Sequence, residues 1–396
     1  MYSLQCADKR RTLLDAVEEI REVLASCVDA SETGATLADP AVQALRDSGL
    51  YKMRLPAELG GAEADLVTQM EVLESLSYID PASGWCAMVG SANVAALGAF
   101  LPDAGIERVF PGDFVPFVAS SFYPAGTAVS ENGGYPVNGH WRFASGVRHA
   151  EWVWAGAVVA QDRDDADPGE AIPQVIYVVL PVPEIQIHNN WHVLGLRGTG
   201  SCDFSIVDRY VAPEMTMQWN PQAPASLRGG PLFRLPPLAL GSHEHVAFAA
   251  GLARRVLDEL AKMATTRQGQ YRPSALTERH VFQRLMGESD LKLRSARSLA
   301  FDLYERTWQQ ICRNESISPA AQSELRGLVT YITGIAVDIV TSAFRYGGAG
   351  ALFQPNIFER LLRDMNAAAQ HIMASDSAYE NHGKFLLGLA DADPMG

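Results

Sequence analysis

Four short runs of the 396-residue chain carry the side chains best suited to chemistry. WRFASGVRHAEW (141–152) sets Ser145 and Gly146 between two tryptophans, Trp141 and Trp152, with His149 close by. GLRGTGS (195–201) combines glycines, Arg197, Thr199 and Ser201 in a tight turn whose free backbone N–H groups suit an anionic group. GSHEHVAFAAGLAR (241–254) flanks Glu244 with His243 and His245. ERLLRDMNAAAQH (359–371) ends on His371, an imidazole able to move a proton near neutral pH. Each run also has a plain structural reading. Trp141 suits a strand core, Ser145 a turn, GLRGTGS a β-turn closing a sheet, Glu244 a solvated helix start, and His371 a satisfied core histidine on an Ala-rich helix.

These runs need a scaffold, and the totals bound it. The length exceeds the ~250–300 residues over which a single core grows, so two or three packed sub-domains are expected. A formal net charge of −14 with no compensating Lys/Arg block argues against nucleic acid as a partner. Hydrophobic residues at 47% and charged residues at 20% are ordinary globular usage. No stretch approaches the ~18 consecutive apolar residues of a membrane span, so no membrane partner is expected. The first residues lack the apolar core and small-residue cleavage site of a signal peptide, which leaves the cytoplasm as the expected location. Cys6, Cys27, Cys86, Cys202 and Cys312 show no ligand spacing and read as reduced and mostly buried. The acidic run 161–170 reads as a solvated hairpin loop, and no metal site is expected.

Apolar spacing then places the elements. Leu13, Leu14, Val17, Ile20, Leu24 and Cys27 recur at three- and four-residue steps and predict a helix. Asp39 and Pro40 suit the start of a second, with Gly49 at its end. Helical spacing resumes from Leu66 to Tyr78, and Asp80-Pro81 opens an Ala/Gly/Ser-rich helix reaching Phe100. Between about Phe114 and Pro213 the texture turns to alternation broken by Gly, Pro and Asn, which predicts strands. After a Pro/Gly-rich linker (220–231), long helices are expected near 239–268, 277–312, 319–345 and 355–375. Ser318-Pro319 caps the third of these, and Gly347, Gly348 and Gly350 break the chain before the fourth. No GxGxxG after a strand, GxxxxGK[ST] or HExxH occurs, so dinucleotide-fingerprint, P-loop and zincin chemistry lack their motifs.

In this order, GLYKMRLPAELGG (49–61), GYPVNGHWRFASGVRHAEW (134–152), GLRGTGSCDF (195–204) and ERLLRDMNAAAQH (359–371) resemble the acyl-CoA dehydrogenase superfamily over nearly the whole chain. Within it they are most similar to the oxygenase components of two-component flavin monooxygenases. The resemblance implies an α+β acyl-CoA dehydrogenase fold: an N-terminal helical domain (1–112), a middle β-barrel-like domain (113–215) and a C-terminal four-helix bundle (216–396), assembled as a homotetramer. It also implies reduced FMN (FMNH2) or FADH2 supplied by a separate flavin reductase, with O2 as co-substrate. The expected reaction is hydroxylation of a phenolic or other electron-rich aromatic substrate through a flavin C4a-hydroperoxide.

The same resemblance assigns residues. Trp141 is expected beside the isoalloxazine, Ser145 and Gly146 near its N5, Arg197, Thr199 and Ser201 against the flavin or the pocket, and Arg267 on a flavin phosphate. Trp85, His243 and Glu244 are expected to line the substrate pocket, and His371 to take the phenolic proton. Dehydrogenases of the superfamily carry a glutamate shortly after the Arg-Asp pair, whereas Arg363-Asp364 is followed here by His371 and Ile372. Glu244 keeps open a dehydrogenase that uses it as base, and N- or S-oxygenation is a further alternative. Phe344 stands where dehydrogenases have a glutamine serving FAD, which favours FMN or an FAD held mainly by its flavin end.

Overall fold

The computed structural model describes residues 2–160, 174–218, 225–266 and 275–395. The acidic run 161–170, part of the linker 220–231 and Arg267 therefore lie outside the described residues. The chain folds into two compact units.

The first unit comprises Met1–Ala64, Trp85–His192 and Arg197–Pro236. Helix α1 (Tyr2–Gly34) buries Leu13, Val17, Ile20, Leu24 and Cys27, the stripe its spacing predicts. Helix α2 (Asp39–Asp47) starts at Asp39 with Ala38 in the cap position, so Asp39 is not the cap; its carboxylate lies in the first turn, at the positive end of the helix dipole. Helices α4 (Pro81–Phe100) and α5 (Asp103–Val109) follow, the first turn of α4 belonging to the other unit.

The strands are β1 (Val118–Val129), β2 (Tyr135–Trp141), β3 (Trp152–Ala160), β4 (Val175–Pro181), β5 (Gln186–Ile187), β6 (Phe204–Val211) and β7 (Thr216–Met217). They form one sheet in the order β5-β6-β2-β1-β3-β4-β7. β1 runs parallel to β3 and every other pair is antiparallel. The register pairs Trp141 with Phe204 and His140 with Ser205, which decides what each side chain of β2 meets. β4 is buried at consecutive positions from Ile176 to Leu180, as a strand covered on both faces must be.

The second unit comprises Asp65–Gly84, Val193–Leu196 and Pro237–Gly396. Its helices are α3 (Leu66–Ile79), α6 (Pro237–Thr266), α7 (His280–Cys312), α8 (Pro319–Gly347), α9 (Ile357–Ala368) and α10 (Ser377–Leu387). Asp65 caps α3, its carboxylate accepting from the Thr68 amide at 2.9 Å. Ser318 caps α8 as expected, accepting from the Ala321 amide at 3.2 Å ahead of Pro319. α6 packs against α3 and α8. The helical stretch Pro319–Leu352, α8 with the 3-10 turn that follows it, is long and apolar enough to cross a membrane, yet 61% of its apolar window is buried, as befits a core helix. The fourth expected helix stops at Ala368 rather than near 375, and α10 follows it as an additional helix. Among the described residues no disulfide forms, and Cys27, Cys86 and Cys202 are buried.

Candidate active site

Ser145 lies in the turn after β2 and is half-buried. Its Oγ accepts the indole N–H of Trp85 at 3.1 Å and shares a 2.8 Å hydrogen bond with Ser201 Oγ. Ser201 in turn lies 2.7 Å from Thr199 Oγ1. Thr199 and Ser201 are buried, so Ser145 is the member of this hydroxyl chain that reaches outward. Gly146 makes the junction: its φ of +76° is the left-handed turn that a side chain would strain, and its N–H donates to Thr199 O at 2.9 Å. The Ser-Gly step and the GLRGTGS turn, distant in sequence, are thus hydrogen-bonded to each other. A serine hydroxyl has one donor and two lone pairs. Trp85 fills one lone pair and Ser201 one further position, which leaves Ser145 one more bond to make on its exposed side.

The structure corrects the place expected for Trp141. Its side chain has 0% exposure, its ring stacks on Phe204 at 5.4 Å and 15°, and its N–H donates to Gly156 O at 2.8 Å. On the ring's edge stand Gly126 and Gly139, where an added Cβ would come within 2.2 and 2.6 Å of it. A ring enclosed in this way offers a ligand neither a face nor its N–H, so Trp141 is a core residue of the sheet. The exposed aromatic beside Ser145 is Phe143, which the sequence reading missed. It is 61% exposed with φ at +64°, stands edge-on to Trp191 at 6.4 Å, and has the Arg142 guanidinium 5.0 Å from its ring centre. The usable signal was the inward series Val137, Gly139, Trp141, which ends with the strand and frees the next aromatic to face out.

The other first-unit positions have local partners. Arg197 stands 3.7 Å from the Glu32 carboxylate of α1. His149 packs edge-on to Phe117, and burial, aided by Arg46, holds its imidazole down at about 4.

In the second unit His371 stands beyond α9, at the start of a single 3-10 turn, Ile372–Ala374. Its Nδ1 accepts the Met373 N–H at 3.3 Å, and its ring lies 4.4 Å from that of His245, with 30° between the planes. Burial, aided by the Arg326 cation, pushes His371 down to about 4. Burial and then His371 push His245 down to about 3. Both are uncharged at neutral pH. Because Nδ1 of His371 accepts, its ring proton sits on Nε2; because Nδ1 of His245 faces the Gly241 carbonyl at 3.1 Å, its proton sits on Nδ1.

Glu244 is 4% exposed and lies inside α6, so it is not a solvated helix start. His243 is fully enclosed, with Nε2 2.9 Å from Gln69 Oε1 and its ring edge-on to Tyr304; this makes it a packing residue and corrects its expected place on the pocket wall. The Arg363-Asp364 pair clamps residues 194–196. Asp364 accepts the Leu196 amide at 2.6 Å, and Arg363 donates to Leu194 O at 2.9 Å while pairing with Glu359. Gly195 is required here, since a Cβ would lie 2.1 Å from Arg363 O.

The sequence matches the family profiles "Acyl-CoA dehydrogenase, N-terminal domain" over residues 8–111 and "Acyl-CoA dehydrogenase, C-terminal domain" over 244–376. Together these span more than half of the chain. It is 28% identical to an indole-3-acetate monooxygenase from Pseudomonas putida, over 88% of this chain and 86% of that protein. It is 25% identical to the flavin-dependent monooxygenase oxygenase subunit HsaA of Mycobacterium tuberculosis over 100% of both. The fold superposes on XiaF from Streptomyces, solved with FADH2 and glycerol, with a TM-score of 0.89, 25% identity, and coverage of 100% and 99% of the two chains. The chain belongs to the acyl-CoA dehydrogenase family, in the branch of oxygenase components of flavin-dependent monooxygenases.

Proposed function

We propose that the chain takes reduced FMN or FADH2 from a separate flavin reductase and, with O2, hydroxylates a phenolic, indolic or other electron-rich aromatic ring. The observation that carries this reading is the hydrogen-bonding state of Ser145. When it donates to Ser201 and accepts from Trp85, its remaining lone pair suits an N–H donor, and N5 of a reduced flavin is one. The residues present therefore fit the group. Phe143 supplies the aromatic face and the turn 197–201 its buried hydroxyls, while Trp141 supports both from inside the sheet. When bound, reduced flavin supplies the electrons that activate O2 for insertion into the ring.

His371 acts on the substrate. Its neutral imidazole carries its proton on Nε2, the form that donates a hydrogen bond to a substrate oxygen and orients the ring instead of removing a proton. This revises the base role implied by the resemblance, for a site held at about 4 is a weak base near pH 7. The indole-3-acetate relative and the FADH2 of XiaF support the substrate and cofactor classes.

Leu352, Phe353, Ile372, Leu386 and Leu387 are each more than 70% exposed. Such apolar side chains support a homotetramer in which other copies cover them, and light scattering tests it. The cytoplasm, where reductases supply reduced flavin, is the proposed location.

The test is direct. Chemically reduced FMN or FADH2 is mixed with the chain, a phenol or indole-3-acetate, and isotope-labelled oxygen gas. One labelled atom per product molecule is expected. An unlabelled alkene formed from an acyl substrate, and lost in Glu244→Gln, would instead establish the dehydrogenase.

A further inference from the structure

We propose that Asp203 is a positioning residue for the aromatic wall of the flavin site: its carboxylate holds the Phe143 backbone in the left-handed turn that directs the ring outward. This rests on the place given to Phe143 above. At φ +64° Phe143 occupies a region that a residue other than glycine enters only when its surroundings hold it there. A row of hydrogen bonds to the segment 199–203 holds this turn. Gly146 N–H donates to Thr199 O at 2.9 Å, Ala144 N–H to Cys202 O at 3.1 Å, and Phe143 N–H to Asp203 Oδ1 at 3.3 Å. The first two acceptors are backbone carbonyls, which any residue supplies. The last is a side chain, and it acts on the left-handed residue itself.

Asp203 is in turn fixed by the sheet. It is 8% exposed, its N–H donates to Asn190 Oδ1 at 3.0 Å, and its carbonyl accepts the His188 N–H at 2.8 Å. A carboxylate only accepts, so His140 donates to Oδ2 from Nε2, at 3.1 Å. The other ring nitrogen of His140 lies 3.0 Å from Ser205 Oγ, which lies 2.8 Å from His188 Nε2. The β2–β6 register sets His140 opposite Ser205, and β5, paired with β6, leads the chain into His188. With Oδ2 turned to His140, Oδ1 is turned to Phe143. Arg142 adds a looser tie, its Nε 3.8 Å from Oδ2 and its guanidinium carbon 5.0 Å from the centre of the Phe143 ring. Nothing beside Asp203 in the sequence marks this role, which exists only once β2 and β6 pair.

The experiment reads the turn and the flavin separately. In the flavin-free protein, amide hydrogen exchange at Phe143 is expected to quicken about tenfold in Asp203→Ala. It should stay within about twofold of the parent in Asp203→Asn, whose side-chain oxygen can still accept the amide. Affinity for reduced flavin, from anaerobic fluorescence titration, is expected to fall about fivefold in Asp203→Ala and to hold within about twofold in Asp203→Asn. Added to Phe143→Ala, the Asp203→Ala change should cost affinity nothing further, because the ring it positions is gone.

An affinity loss that persists undiminished beside Phe143→Ala marks a merely structural Asp203 and overturns the proposal. Parent affinity in Asp203→Ala, or equal losses in Asp203→Ala and Asp203→Asn, overturns it too. If Phe143→Ala alone binds reduced flavin as the parent does, the wall assigned to Phe143 falls, and exchange at Phe143 then decides by itself whether Asp203 holds the turn. Should Asp203→Ala fail to fold, Asp203→Ser takes its place. The bond to Phe143 is already 3.3 Å long, so a shorter side chain keeps the position polar but stops short of the amide.

Discussion

The indole N–H of Trp85, on α4, donates to Ser145 Oγ at 3.1 Å, and Ser145 in turn meets the buried Ser201 at 2.8 Å. The serine rotor is therefore held from two sides, one element contributing an indole and the other a hydroxyl. A hydroxyl fixed in this way needs no reorganisation when a ligand arrives.

Ser145→Ala should leave the fold intact and uncouple the reaction. Product formed per reduced flavin consumed is expected to fall about tenfold, with released hydrogen peroxide rising to match; loss of one preorganised hydrogen bond has this order of effect or more. Trp85→Phe keeps the hydroxyl but frees its rotor, and a smaller loss of about threefold is expected. Product chromatography and a peroxide assay on the same sample check both.

Trp141 and Phe143 should separate stability from flavin binding. Trp141→Ala empties a fully enclosed site in the sheet and is expected to cost roughly 3–5 kcal/mol in denaturant unfolding. Phe143→Ala removes a ring that is 61% exposed, so unfolding should shift by less than about 0.5 kcal/mol. Affinity for reduced flavin should instead fall several-fold in the Phe143 variant, as measured by anaerobic fluorescence titration. The reverse pattern would return the flavin wall to Trp141.

Gly195→Ala should be strongly destabilising although the change is one methyl group. The new Cβ would lie 2.1 Å from Arg363 O and 2.2 Å from Arg363 C, both backbone atoms, so the loop 194–196 must leave its clamp. A loss of about 1–3 kcal/mol is expected, with faster amide exchange at Leu196. Thermal unfolding and hydrogen exchange measure the two effects.

Stability should also fall with acid in a definite window. His149, His245 and His371 have folded values of about 4, about 3 and about 4, all depressed from 6.5 chiefly by burial. Below 6.5 the unfolded chain binds protons that the folded chain refuses, so stability is lost as pH falls from 6.5 toward 4 and is fully present above that range. A fall in Tm of at least about 5 °C across the window is expected. His245→Phe should flatten the slope by removing one of the three groups. Hydroxylation should show no limb near pH 7 that depends on His371; such a limb, lost in His371→Ala, would restore its role as a base.

What the sequence determined by itself is the set of elements and their order. The stripe Leu13, Val17, Ile20, Leu24, Cys27 made α1, Ser318-Pro319 started α8, and the glycines after Tyr346 ended it, because caps, breakers and periodicity act between near neighbours. The order of motifs likewise carried the family. Tertiary structure alone decided which side chains meet. Trp141 turned inward and Phe143 outward through the β2–β6 register and a left-handed turn, neither of which local alternation specifies beyond the end of the strand. Trp85, Ser145 and Ser201 come from three separate segments, as do Gly195 with Asp364 and His245 with His371. Side chains so far apart in the chain are joined only when burial within each unit fixes where its segments lie.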